Sequence, residues 1–330
     1  GGDGKNPMLT DPDVETAVQQ NYRWNLTVNV LDGTTFWFAL SFLSSTTIVP
    51  LYVSKLTGSQ FAIGLVGVIA YGAWFLPQLL TAGWIEGRER VKPIVIRAGF
   101  FLERLPVWLL VLSALIAERS PALALVIFFV GYTWRGLGGG AVGPAWQDLI
   151  ARCFPVARRG RFLGTANFAG TAAATAGAAL STWLLASLAF PSQFVALFAI
   201  AAVSITVSWF FLSLTREPAY PASTPGSARR TLTGLPAILR GDDNFRRFLG
   251  ARVLVALGGI GMGFATVAAV QRWGVPDGTV GLYTAALWLG QAGGNLLFGF
   301  LADRHGHKLS LELGSLAAAL AFGVAWLAPV

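Results

Sequence analysis

Nine long apolar stretches alternate with short polar connections along the chain. They run Leu26 to Val49, Phe61 to Gly83, Ile94 to Ile116, Ala122 to Ile150, Phe162 to Leu188, Phe194 to Leu214, Phe248 to Val270, Val280 to Leu301 and Leu309 to Val330. At 1.5 Å per residue each is long enough to cross a hydrocarbon layer of about 30 Å. Within such a layer no water satisfies backbone N–H and C=O groups, so a run of this kind must be helical. The pattern predicts an all-α polytopic membrane protein with nine spans.

Composition agrees with the pattern and adds a direction. Of 330 residues, 54% are AVILMFWYC and only 12% are charged, too few to cover a water-facing surface. One Cys excludes an internal disulfide and a zinc-cluster pattern, and two His leave little for histidine-based metal chemistry, so no metal site or cofactor is expected. Lys and Arg are distributed unequally between alternate connections. Seventeen fall on one side, among them Arg88, Arg90, Lys92, Arg152, Arg158, Arg159 and Arg161, against Lys55, Arg119 and Arg272 on the other. Cationic loops resist translocation, which places the amino terminus in the cytoplasm and the chain in the cell (inner) membrane. The net charge of +8 is accounted for by these loops, and no nucleic-acid partner is called for.

The connections also divide the chain. Residues 1–25 are polar, with Asp11, Asp13 and Glu15, and read as a cytoplasmic segment rather than a cleavable signal. Six spans occupy 26–214. A linker at 215–247 contains Pro218, Pro221, Pro225 and Pro236, and three spans fill 248–330. The end of the linker, Leu235 to Phe248, reads equally as an amphipathic surface helix or as an irregular approach to the next span. An internal repeat supports the division: when Ile63-Gly64-Leu65 is set against Val280-Gly281-Leu282, Gln78 meets Asn295 and Glu86 meets Asp303. Six spans followed by three predict about three more, on the order of 80 to 100 residues, beyond Val330.

The segment Gly299-Phe300-Leu301-Ala302-Asp303-Arg304-His305-Gly306-His307-Lys308 resembles the loop signature of the major facilitator superfamily, commonly written G-x-L-a-D-r-x-G-r-k. Only His307 departs clearly. In that family the loop joins the second and third spans of each six-span half, which is the place it occupies here. The first-half counterpart, Gly83 to Lys92, is degraded, yet keeps Glu86 followed by Arg88, Arg90 and Lys92. Arg135-Gly136-Leu137-Gly138-Gly139-Gly140-Ala141 resembles a second superfamily pattern, R-x-x-q-G-x-g-a, with Gly138 in place of the amide. The resemblance implies a helical bundle of two pseudo-symmetric halves, the second incomplete here. It further implies that the cytoplasmic loops, including Gly299, Asp303, Arg304, Gly306 and Lys308, act as latches, and that the second-half latch leans on the fifth span. The fifth span lacks the Gly-Pro pair of the superfamily's antiporter signature, so export by antiport is not implied.

Charges inside the spans are costly unless they face the bundle interior, water or a partner, which makes them functional candidates. They are Asp32, Glu103, Arg104 and Arg135. Counted from the cytoplasmic edge, Asp32 lies about 9 Å deep, Glu103 about 14 Å and Arg135 about 22 Å. Depth pairs Arg135 with Glu103, whereas the superfamily's habit of keeping the third span peripheral pairs it with Asp32. Glu103 with Arg104 as a fixed ion pair is a third reading. A carboxyl whose surroundings change as access alternates can bind and release a proton, so protons are a candidate coupling partner. Asn29, Gln78, Gln147, Gln291 and Asn295 supply hydrogen-bonding groups near the expected path, and Trp37, Trp74, Trp134 and Trp288 read as path lining or as lipid-facing packing. The reading is a secondary transporter of an unidentified small solute working by alternating access, with the bilayer as its other partner. The rivals are a non-transporting truncated membrane protein or assembly partner and, less well supported, a membrane-embedded enzyme, for which no Walker loop or nucleophile–base cluster is visible.

Overall fold

The computed structural model describes residues 12–85, 88–220 and 239–327. Among them, α-helices are the principal secondary structure: α1 (Pro12–Ser41), α2 (Ile48–Leu56), α3 (Gln60–Ile85), α4 (Lys92–Ala98), α5 (Val107–Ile116), α6 (Pro121–Cys153), α7 (Val156–Ser187), α8 (Ser192–Ser213), α9 (Asp243–Ile260), α10 (Met262–Trp273), α11 (Asp277–His305) and α12 (His307–Leu327). These twelve helices make nine rods, because three spans are interrupted. α1 and α2 share the first, α4 and α5 the third, and α9 and α10 the seventh. Seven rods are long and apolar enough to cross a bilayer by length and composition. The other two are α1, which carries Asn25, Asn29 and Asp32, and α11, which carries Gln291 and Asn295.

Each interruption has a local cause. Residues 42–47 between α1 and α2 are serine- and threonine-rich, and their hydroxyls bond one another: Thr47 Oγ1 donates to Ser44 Oγ at 2.6 Å. In the third span, Gly99–Arg104 forms a π-helical turn, a single-turn bulge often found at functional sites. At the seventh, Gly261 separates α9 from α10. Ends follow ordinary rules: Pro121 begins α6, Asp242 caps α9 by accepting from the Phe245 N–H at 2.9 Å, and Gly274 closes α10 with φ +65°.

Glycines set the closest approaches. Gly136 and Gly140 bring α6 against α3, where a Cβ would lie 2.8 Å from the Ala73 Cβ and the Ala73 oxygen respectively. Pro77 leaves that Ala73 carbonyl without its helical donor, and a bare glycine is what fits beside it. Gly170 and Gly177 seat α7 on Trp37, Phe38 and Ser41 of α1, whereas Gly164 faces open space.

The predicted loop around Gly306 is shorter than a loop. α11 continues through Asp303 and Arg304 to His305, Gly306 alone makes the reversal at φ +84°, and α12 starts at His307. That φ is why a glycine stands there. The approach to the seventh span resolves in part: Phe245 and Phe248 belong to α9, continuous with the span, while residues 235–238 lie outside the described ones.

Candidate functional site

The linker face carries the start of α1, the 88–92 and 152–156 connections and the chain after α8; the opposite face carries Lys55, Arg119 and Asp277. Between the faces lies a cavity of about 860 Å3. Asp32, Glu103, Arg104 and Arg135 all line it. Burial and hydrogen bonding resolve the pairing that sequence left open. Glu103 and Arg104, successive residues of the π-helical turn, form a buried ion pair through Oε2 and Nη1, and Arg104 Nη1 also donates to the Gly99 carbonyl at 3.4 Å. Asp32 pairs with neither base directly; its Oδ1 accepts from Ser208 Oγ of α8 at 2.6 Å. Arg135 lies within Coulombic reach of Glu103, but its Nε is buried without a hydrogen-bond partner.

The π-helical turn also explains the glycine that replaces the amide of the fourth-span pattern. A Cβ on Gly138 would lie 2.7 Å from the Leu102 Cβ and overlap the Leu102 carbonyl. No side chain fits while the bulge presents Glu103 and Arg104 inward. One turn beyond Arg135, a Cβ on Gly139 would lie 3.1 Å from Glu103 Oε1 and 2.8 Å from the Trp74 ring.

The predicted polar and aromatic residues divide. Gln147, Gln291, Trp37, Trp74 and Trp288 line the cavity, and the Trp37 and Trp288 rings meet edge to face at 5.3 Å across the two halves. Trp134 instead borders a separate apolar recess between the second, third and fourth spans. Gln78 donates to its own helix at the Trp74 carbonyl and Asn295 is exposed; neither lines the cavity. Asn29 has a different setting. Its Nδ2 donates to Thr215 Oγ1 at 3.1 Å, beside the reciprocal bonds of Asn25 with the Arg216 backbone at 2.8 and 2.9 Å, so it ties α1 to the chain leaving α8.

Contacts between the halves close the side opposite the linker. Lys55 Nζ lies 2.8 Å from Asp277 Oδ2, which also accepts from Gln193 Nε2 at 3.2 Å. Thr47 and Thr284 share a hydroxyl hydrogen bond of 2.7 Å, and Thr266 Oγ1 donates to the Thr46 carbonyl at 2.8 Å. The repeat-related glycines Gly64 and Gly281 both face the other half: Gly64 meets the Phe264 ring of α10, and Gly281 meets Thr182 of α7. Among the described residues, buried positions on α11 stop at Thr284, and α9 has none. Sequence reading counted Lys55 only as a loop charge and missed Asp277, Ser208 and the threonines, because their significance lies in partners distant along the chain.

The linker face is tied together within each half. Glu217, absent from the sequence-based candidates, accepts from the Val91 and Lys92 N–H groups at 2.8 and 2.9 Å, and lies 3.8 Å from Arg152 Nη1. Arg152 in turn donates to the Arg88 and Glu89 carbonyls at 2.8 and 3.1 Å. Tyr220 lies under the Arg152 guanidinium, and partial burial pushes its phenol pKa up. Arg90 is exposed, and Glu86 lies outside the described residues. In the second half Gly299 and Asp303 belong to α11, Arg304 stacks on Phe300 at 4.4 Å, and Lys308 sits 3.6 Å from Glu312. Both of these contacts lie within the second half. Among the described residues no group of three or more His, Cys, Asp or Glu is arranged to hold a metal ion.

Comparison with known proteins gives a consistent picture. Residues 31–330 match the description "Major Facilitator Superfamily". The curated protein "Major myo-inositol transporter IolT" of Bacillus subtilis (strain 168) is 27% identical over 112 residues, which is 34% of this chain and 24% of that protein; the chain's match therefore spans about a quarter of the relative's length. Among solved structures, a D-xylose-proton symporter superposes with a TM-score of 0.51 at 15% identity, covering 84% of this chain and 68% of that one. A bacterial homolog of the human lysosomal transporter Spinster, solved inward-facing and unoccupied, gives 0.53 at 16% identity, covering 89% and 64%. At these identities the likeness is one of fold.

Proposed function

The chain belongs to the Major Facilitator Superfamily, a family of transporters rather than enzymes, and from that premise we propose that it moves a small solute across the membrane by alternating access. The observation that carries the reading is the charged cavity between the halves, shut on the side opposite the linker by a few polar pairs and by small apolar residues such as Val267 and Val280 packed on the first half. Such contacts suit an interface that separates and re-forms. In this arrangement the solute exchanges at the linker face, which the Lys and Arg asymmetry assigns to the cytoplasm.

Coupling to protons centres on Asp32. It lines the cavity, bonds to Ser208 of another span, and faces Arg104 and Glu103, so rearrangement of α1 against α8 alters what surrounds the carboxyl. The linker-face residues Glu217, Val91, Lys92 and Arg152 hold the first half as one body while it moves.

Flux measurement tests the proposal. Proteoliposomes carrying the chain are expected to show saturable uptake of at least one member of a panel of labelled sugars, polyols, amino acids and organic acids. Uptake that never exceeds empty vesicles across the panel would favour a non-transporting assembly partner. The orientation is tested separately: a cysteine placed at Arg119 should react with an impermeant maleimide added outside cells, and one placed at Arg158 only after lysis.

A further inference from the structure

The cavity's charges are unequally committed. Glu103 and Arg104 are paired with each other, and Asp32 accepts from Ser208. Arg135 has no direct ion pair, and its Nε, like that of Arg104, is buried without a hydrogen-bond partner, although Glu103 lies close enough to hold it electrostatically. A guanidinium offers five donors in a planar fork that matches a carboxylate with two parallel bonds, and donors left unmade in a buried site carry a desolvation cost that a ligand can relieve. The wall around it is predominantly apolar and aromatic: Trp74 from α3, Trp37 and Phe36 from α1, and Trp288 from α11. Hydroxyl groups come from residues 44–46, Tyr71, Tyr132 and Thr284, and uncommitted amides are few, Gln147 and Gln291. A polyol would leave many hydroxyls unpaired against such a wall, whereas an apolar body with one anionic end matches both parts. The volume of about 860 Å3 admits a drug-sized molecule.

We infer that this cavity selects organic monocarboxylates with an aromatic or branched apolar body, the carboxylate seated on Arg135 and the body among Trp37, Trp74 and Trp288. The inference rests on the proposal that the cavity is the solute chamber, and it names the substrate class of that same site. It separates this chain from the polyol and the sugar for which the myo-inositol transporter and the D-xylose-proton symporter are named.

Equilibrium dialysis of the purified full chain in detergent provides the test, with three probes: 4-phenylbutyrate, its neutral primary amide, and myo-inositol. The acid is expected to bind at least tenfold more tightly than the amide, and myo-inositol more weakly than either. In Arg135→Gln the acid should fall to the level of the amide while amide affinity stays within about twofold, which also reports that the cavity is still folded. Trp288→Ala should weaken acid and amide alike, preserving their ratio, and serves if Arg135→Gln is not stable in detergent. Equal binding of acid and amide by the unaltered chain overturns the inference, as do absence of binding by both, an acid preference that survives Arg135→Gln, or tighter binding of myo-inositol. Vesicle flux keeps the two claims apart. Acid-selective binding without flux would sink the transport reading alone, and saturable myo-inositol flux without acid preference would sink the substrate class alone.

Discussion

Adding one methyl group at Gly281 should open the outer side. A Cβ there would lie 2.5 Å from the Thr182 Cα and overlap the Thr182 amide nitrogen, which are backbone positions of α7 that cannot turn away. Ordinary contact needs about 3.5 to 4.0 Å, so α11 must retreat from α7 by about 1 Å or more. Overpacking of this kind costs about 1–3 kcal/mol. The polar contacts that oppose it are individually modest. The Lys55–Asp277 pair is partly exposed, with side chains 33% and 20% accessible, and is worth at most about 1 kcal/mol after screening. The buried Thr47–Thr284 bond adds about 1 kcal/mol. A destabilisation of 1–3 kcal/mol therefore shifts the closed-to-open ratio by about 5- to 150-fold, at tenfold per 1.4 kcal/mol.

Cys153, buried at the end of α6, is the only cysteine, so a reporter can be added with little background. With Thr284→Cys as the reference, Gly281→Ala should raise the rate of labelling by an impermeant maleimide from the outer side by about that same factor. Two other glycines grade the response. Gly67→Ala, whose Cβ would lie 2.9 Å from the Ile260 Cα, should also accelerate labelling; Gly64→Ala should do so least, because its obstacle at 3.1 Å is the far edge of the Phe264 ring, which can shift. Unchanged labelling in an inserted Gly281→Ala chain, or an equal effect at Gly64, would refute the reasoning.

Three further outcomes are expected. Glu103→Gln strands Arg104 and should lower stability by about 3–5 kcal/mol, read as a fall in the thermal midpoint in detergent; Glu103→Gln with Arg104→Gln should be less damaging than the single change, and a double variant at least as unstable would argue against a mutually dependent pair. Glu217→Gln removes the charge from an acceptor of two backbone N–H groups at the start of α4 and should cost about 1–2 kcal/mol, with faster hydrogen exchange at Val91 and Lys92 as its local sign and unaltered exchange as its refutation. Asp32→Asn should leave membrane insertion intact and flatten the dependence of flux on pH, since the proposed proton-binding group is gone while Ser208, Arg104 and Glu103 remain; a retained pH profile would remove Asp32 from coupling.

Hydropathy located the rods because the bilayer imposes one rule on every span, and Gly306 was recognisable because its motif encodes a backbone reversal. Asp32, Glu103, Arg104 and Arg135 were recognisable because charge is rare at depth. What escaped was set by contacts remote in sequence. The π-helical turn that turns Glu103 and Arg104 inward depends on the absence of a side chain at Gly138, thirty-odd residues later, and no local pattern in the third span announces it. Glu217 looked like one linker charge among many until the N–H groups of Val91 and Lys92 were found against it. Asn29 and Gln78 have the same composition-level signal as Gln291, yet only Gln291 lines the cavity; helical phase in a nearly uniform apolar sequence is too weak to separate them.

Among the described residues, every ionisable side chain lining the cavity belongs to the first half, while the second contributes Thr284, Trp288 and Gln291 among its lining residues. The charged anchor and the closure are therefore carried largely by different contacts: Arg135 rides on α6 against α3 and the π-helical turn, whereas closure rests on α11 meeting α7 and α2 and on α9 and α10 meeting α2 and α3. Gly281→Ala should consequently change access without changing selectivity, leaving the ratio of acid to amide affinity within about twofold. Arg135→Gln should do the reverse, collapsing that ratio while Thr284→Cys labels at its reference rate. If instead either substitution moved both readouts together, the first half would not be acting as a fixed cradle, and binding and closure would have to share a single rearrangement of α1, α3 and α6.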